Sequence, residues 1–169
     1  MSNKEEDSVY DGLGYWVGSL ASAFRRGVGR ELAPFDVTPA QWAILVMCYR
    51  GEVNTVSGLA RVIPIDQAAI SRQVEKLKSK GLIRRRRLSR DRRTVRLDLT
   101  DEARLLVPKL ARCVEVNEAN FLTGISGEEL SALIDVIKRM LRNVEPSIYS
   151  DEEFDNNKAE DADKNKYPH

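Results

Sequence analysis

The chain has 169 residues, 42% hydrophobic and 31% charged, with 27 Lys and Arg against 26 Asp and Glu and a net charge of +1. That length and apolar content suit one globular domain with a sizeable core, extended by helices that meet a partner chain. Two cysteines, Cys48 and Cys113, are too few for a disulfide framework and lack metal-site spacing, and the only histidine is the last residue, His169. No metal site and no cofactor is expected.

The near-neutral total hides a segregation of charge. From Arg61 to Arg96 thirteen Lys or Arg stand against three acids, a local charge of +10, whereas Asp151 to His169 carries seven acids and three lysines, or −4. Met1 to Asp7 is polar and acidic, without the basic flank and apolar stretch of a secretory signal, and no apolar run approaches the length that spans a bilayer. A cytoplasmic protein without membrane partners is the expectation.

Taken in order, Leu13, Trp16 or Val17, Leu20, Phe24, Val28 and Leu32 recur three to four residues apart, one face of a helix ending near Ala33-Pro34. Several glycines weaken it in isolation, so it relies on tertiary or dimer packing. Thr38-Pro39-Ala40-Gln41 is a start signal: Thr38 caps, Pro39 fits the first helical position and Gln41 completes a capping box. The helix it opens is expected to bury Trp42, Leu45, Val46 and Tyr49 and to stop at Gly51. Asn54 or Thr55 caps another, through Leu59, Ala60, Val62 and Ile63, which Pro64 ends.

Asp66 caps a fourth helix, about Gln67 to Lys80, with Ile70, Val74 and Leu77 inward, a polar and cationic remainder, and Gly81 as its stop. The period then changes to two. Leu82 and Ile83 open a strand, Val95, Leu97 and Leu99 alternate with Arg96 and Asp98 in a second, and Ser89 to Arg93 supply the turn. Thr100 caps a long helix with Asp101 and Glu102 in its first turn and Leu105, Leu106, Leu110, Val114 and Phe121 as apolar positions. Pro108 within it predicts a kink, as a static bend or as a hinge. Ser126-Gly127-Glu128-Glu129 is a second capping box, opening a helix with Leu130, Leu133, Ile134, Ile137 and Leu141 at core spacing that ends by Pro146. The acidic remainder, 146–169, has too little apolar surface to offset the entropy of ordering and reads as a disordered tail.

The fold expected is mainly α with a small β-hairpin wing: a winged helix-turn-helix domain with N- and C-terminal dimerisation helices. Its boundaries are 8–145, with a DNA-binding lobe about 37–100 and dimerisation helices about 9–33 and 101–145. A helix fits the major groove of duplex DNA, a hairpin straddles the backbone towards the minor groove, and cations on both supply phosphate affinity.

Leu59-Ala60, Ala69-Ile70-Ser71-Arg72, Glu75-Lys76-Leu77, Lys80-Gly81-Leu82-Ile83, Asp91-Arg92-Arg93 and Leu99-Thr100 resemble the MarR family of bacterial regulators, over about Leu13 to Val144. Two departures touch turn geometry: Ala103 stands where the family usually has Gly, and Pro64 where a Gly-containing turn is common. The resemblance implies that Ser71 and Arg72 read bases with Gln67 at the helix start, that Ser57, Arg61 and Gln73 meet phosphates, and that Arg93 enters the minor groove. Arg86, Arg90 and Arg92 complete the cationic wing, where Asp91 either orients it or forms a structural ion pair.

The function implied is a homodimeric, ligand-responsive repressor on a pseudo-palindromic double-stranded DNA site, with a ligand-insensitive architectural DNA binder as the alternative. The chain lacks an internal His, a Gly-rich phosphate loop and a nucleophile and base pair, which argues against an enzyme with catalytic residues. Tyr15, Trp16 and Trp42 either line a pocket for a small aromatic or phenolic effector or pack in the core or dimer interface, with packing preferred. The thiol-sensing branch of the family places its reactive Cys near the N-terminus. No Cys precedes Cys48, so apolar packing is preferred for both cysteines.

Overall fold

The computed structural model describes residues 12–51, 53–88 and 91–144, with the backbone alone at 87, 88 and 91–94. The tail reading for 146–169 lies outside the described residues. Helix α1 spans Leu13–Leu32 and passes into a 3-10 turn, Ala33–Phe35, closed by Asp36 in the left-handed region at φ 53°. Then follow α2 (Pro39–Arg50), α3 (Val56–Val62), α4 (Gln67–Ser79), β1 (Ile83–Leu88), β2 (Asp91–Leu99), α5 (Asp101–Phe121) and α6 (Gly127–Val144). Three short helices followed by an antiparallel hairpin, with long helices on either side, make a winged helix-turn-helix domain. None of the described helices is long and apolar enough to cross a membrane.

Local chemistry sets the boundaries. The Thr38 hydroxyl accepts from Gln41 N at 3.2 Å and the Gln41 side chain accepts from Thr38 N at 3.2 Å, a reciprocal capping box. Thr55, rather than Asn54, caps α3, and Asp66 caps α4 by accepting from Ala69 N at 2.7 Å. Gly81, at φ 73°, turns the chain out of α4, a conformation that carries no Cβ penalty in glycine.

The described residues up to Phe121 form one compact unit and those from Leu122 another. In the first unit the core gathers Leu32, Ile44, Leu45, Leu59, Ile70, Leu77, Ile83, Leu97 and Leu110 at 2% exposure or less. Burying such a side chain contributes roughly 1.5 to 3 kcal/mol. The core face of α2 is Gln41, Ile44 and Leu45, while the expected Trp42, Val46 and Tyr49 are half-buried at its flanks. In α5 the buried positions are Ala103, Val107, Leu110, Ala111 and Asn117, and Leu105, one of its apolar positions, is 73% exposed. Helix α1 approaches α5 closely at one point: a Cβ on Gly27 would overlap the Asn117 side chain. Pro108 lies inside α5, which runs on to Phe121, and Phe24 meets Phe121 edge to face at 5.2 Å.

The hairpin pairs Ile83 with Leu99 and Arg86 with Arg96, with a register shift between Arg87 and Leu88 and then Leu88 opposite Asp91. Asp91, Arg92 and Arg93 thus belong to β2 rather than to the turn expected over Ser89 to Arg93, because strand pairing extends further towards the tip than the apolar alternation does. The root is fixed by several bonds. Leu97 N donates to Asn54 O at 2.8 Å, and Thr55 bridges Arg96. The Thr100 hydroxyl donates to Gly81 O at 2.8 Å and accepts from Ala103 N at 3.2 Å, which also caps α5.

In the second unit α6 opens with the expected box: Ser126 N donates to Glu129 Oε2 at 2.8 Å and Glu129 N to the Ser126 hydroxyl at 3.2 Å. The Ser126 N–H, and after it the Ser126 hydroxyl, favour the Glu129 carboxylate and hold its pKa below the usual value. No residue of α6 is buried; Leu133, Ile134, Ile137 and Met140 are 41 to 48% exposed.

Candidate nucleic-acid interface

Helix α4 is pinned by Ile70, Val74 and Leu77, all fully buried. At 100° per residue Arg72 falls about 200° round from Ile70, so it faces away from the core, and it is exposed. Lys76, one turn further along the same outward face, is exposed as well. The i+4 spacing of Lys76 from Arg72 places the two cations on one face of the helix. Gln67, the first residue of α4, is exposed.

Ser71 and Gln73 sit on the flanks of this helix and are half-buried. The Ser71 hydroxyl donates back to Gln67 O at 2.9 Å. Gln73 Oε1 accepts from Gln41 Nε2 at 3.3 Å, which ties its carbonyl to α2 and leaves its amide nitrogen as the group that could donate to a phosphate. Ser57 and Arg61 are exposed on α3, four residues apart and therefore on one face.

On the hairpin, Arg86 is exposed and its Nε lies 3.0 Å from Asp98 Oδ2, an ion pair across the two strands. Arg85 lies opposite Leu97 on the inward side of the hairpin, and its Nη1 reaches Glu75 Oε1 at 2.6 Å, which ties β1 to α4. Lys80, just past α4, pairs with Asp36 Oδ2 at 2.9 Å. Neither link carries a sequence signal, because the partners are distant along the chain. Arg90 lies outside the described residues; Asp91, Arg92 and Arg93 are placed by their backbone in β2.

Tyr15 and Trp16 make an edge-to-face pair with centroids 5.3 Å apart and are exposed at the start of α1. Trp42 packs against the core. The far end of α1 meets the start of α2, where a Cβ on Gly29 would lie 3.6 Å from Pro39. Tyr15 is fourteen residues before Gly29, about 21 Å along the helix axis. One chain therefore does not bring the three aromatic residues into a single lining.

Cys48 is half-buried against the core, and burial, with a smaller contribution from the Asp98 carboxylate, pushes its thiol pKa up to about 12. That environment opposes the thiolate on which oxidant sensing depends. Among the described residues no group of three or more His, Cys, Asp or Glu is placed to hold a metal ion.

The MarR family model matches residues 37–95, from the end of the Asp36 turn into β2. Similar solved structures include the transcriptional regulator PA3341, 26% identical with a TM-score of 0.72, covering 80% of this chain and 99% of that one. A mutant E. coli MarR complexed with operator DNA is 24% identical with a TM-score of 0.71, covering 76% and 93%. CouR from Rhodococcus jostii RHA1, bound to p-coumaroyl-CoA, is 20% identical with a TM-score of 0.69, covering 82% and 94%. Residues 37–95 thus match the MarR family model, and the chain has the fold of the transcriptional regulators it resembles.

Proposed function

We propose that the chain is a sequence-specific double-stranded DNA-binding repressor that acts as a homodimer on a pseudo-palindromic promoter site and responds to a small aromatic or phenolic effector. The observation that carries the reading is α4 itself: its apolar face is fully buried while Arg72 and Lys76 stand exposed on the opposite side, within a segment of charge +10. Cations on a rigid helix of groove-fitting diameter supply both phosphate attraction and bidentate reading of guanine.

The operator complex of the E. coli MarR mutant supports duplex DNA as the partner, and the p-coumaroyl-CoA complex of CouR supports an aromatic effector. The exposed apolar positions Leu13, Trp16, Val17 and Leu20 of α1, and separately those of α6, support burial against a second copy. In this reading Arg72 reads bases, Ser57 and Arg61 hold the backbone, and Arg93 enters the minor groove with Asp91 setting the wing.

The test is selection of duplexes from a random pool, followed by affinity measurements on the selected and a scrambled sequence. Arg72→Ala costs about 1 to 3 kcal/mol on the selected duplex and relaxes discrimination at one position, while Arg93→Ala weakens binding more evenly. Equal loss for Arg72→Ala on both duplexes removes its base-reading role. Absence of any preferred duplex removes sequence specificity and leaves the architectural alternative.

A further inference from the structure

Gln41 is 1% exposed, the most buried polar side chain among the described residues with Thr100 and Asn117. A buried primary amide is costly unless its donors and acceptor are matched. Its Oε1 accepts from Thr38 N and, at 3.4 Å, from Lys80 Nζ, while its Nε2 donates to Gln73 Oε1 at 3.3 Å. Capping alone needs only the oxygen, and a glutamate fills that position equally well. The amide nitrogen is the part that reaches α4.

Lys80 completes the link. Its ammonium donates to the Asp36 carbonyl, to Asp36 Oδ2 at 2.9 Å and to Gln41 Oε1, so three acceptors converge on the three donors of one ammonium. Asp36 holds a left-handed backbone at φ 53°, and the cation that bonds both its carbonyl and its carboxylate stabilises that turn. The end of α4 is thereby fastened to the turn between α1 and α2, and its flank to the first turn of α2. Two hydrophobic contacts can slide or roll against each other at small cost, but directional polar bonds at two points fix rotation as well as distance.

We infer that Gln41 and Lys80 are positioning residues that set the angle at which α4 is presented to DNA, Gln41 through Gln73 and Lys80 through Asp36. The inference rests on the reading of α4 as the DNA-reading helix. It assigns to Lys80 an inward role, although Lys80 sits in the basic segment where a phosphate contact is the simpler expectation.

The experiment measures Gln41→Met, Lys80→Met and Lys80→Arg in the full chain, on the duplex selected by the unaltered protein and on a scrambled duplex, over a range of salt. Each variant is expected to lose about tenfold on the selected duplex and under about twofold on the scrambled one. The salt dependence stays that of the unaltered protein, since no phosphate contact is removed. Lys80→Arg fails to restore affinity, because a planar guanidinium cannot meet three acceptors that converge on a point. A salt slope lower by about one, or full affinity in Lys80→Arg, makes Lys80 a phosphate contact and overturns the inference. Unchanged discrimination in folded variants reduces the network to a stabilising one and overturns it as well. Should Gln41→Met fail to fold by circular dichroism, Gln73→Met removes the same bond from a half-buried flank. If the unaltered protein prefers no duplex, the proposed function fails first, and the inference with it.

Discussion

Helices α4 and α6 are both amphipathic, yet only one closes its apolar face within the chain. Ile70, Val74 and Leu77 of α4 are at 0% exposure, whereas in α6 the comparable positions Leu133, Ile134 and Ile137 remain 41 to 48% exposed. Apolar spacing therefore specifies that a face must be covered without specifying by what. The α4 face is covered by its own domain; the α6 face stays exposed among the described residues, and in the proposed homodimer a second copy covers it.

The largest effect expected from this contrast is in stability. Leu77→Ala should destabilise by about 2 to 5 kcal/mol, while Ile137→Ala in dilute protein should change stability by under about 0.5 kcal/mol. Urea unfolding measures both, and similar losses in the two variants would break the comparison. At high concentration the α6 variant should instead weaken self-association in sedimentation experiments.

A smaller effect divides α1 along its own length. A Cβ at Gly27 overlaps Asn117, but one at Gly18 meets nothing within 4 Å. Gly27→Ala should cost about 1 to 3 kcal/mol by overpacking, and Gly18→Ala should gain up to about 1 kcal/mol from helix propensity. The sign of each shift in thermal midpoint decides the matter.

The smallest effect concerns Cys48, on the closed side of the contrast. With its pKa at about 12 in the fold and an ordinary value of 9.0, the thiol stays protonated in the native state after the unfolded chain has lost its proton. Stability from this group is therefore complete below pH 9.0 and is lost as pH rises towards about 12. Native protein should resist alkylation at Cys48 at pH 8, as read by mass spectrometry, and should react in urea.

Signals confined to a few neighbouring residues were legible in advance. Both capping boxes, the Asp66 cap, the Gly81 stop and the inward face of α4 all follow from spacing of one to four residues. The core face of α2 was not, because Trp42 to Tyr49 is apolar without interruption and a helix apolar all round gives no period to read. Leu105 differs for another reason: it lies about 200° round α5 from Ala103 and from Val107, both fully buried, and so faces away from the core. In the candidate interface, the outward placement of Arg72 was readable from helix geometry, while the roles proposed for Arg72, Ser57 and Arg61 come from resemblance. The roles of Gln41, Lys80 and Arg85 were not, since each depends on a partner brought near only by folding.

The bonds at the base of the hairpin carry a mechanical consequence. With Thr100 joined to Gly81, Leu97 to Asn54 and Arg96 bridged to Thr55, the ribbon is clamped where it leaves the domain, like a beam built into a wall. Directional bonds at three points fix the direction in which the ribbon leaves the domain as well as its distance from it. Because Gly81 directly follows α4, the base of the hairpin and the end of that helix hold one relative orientation.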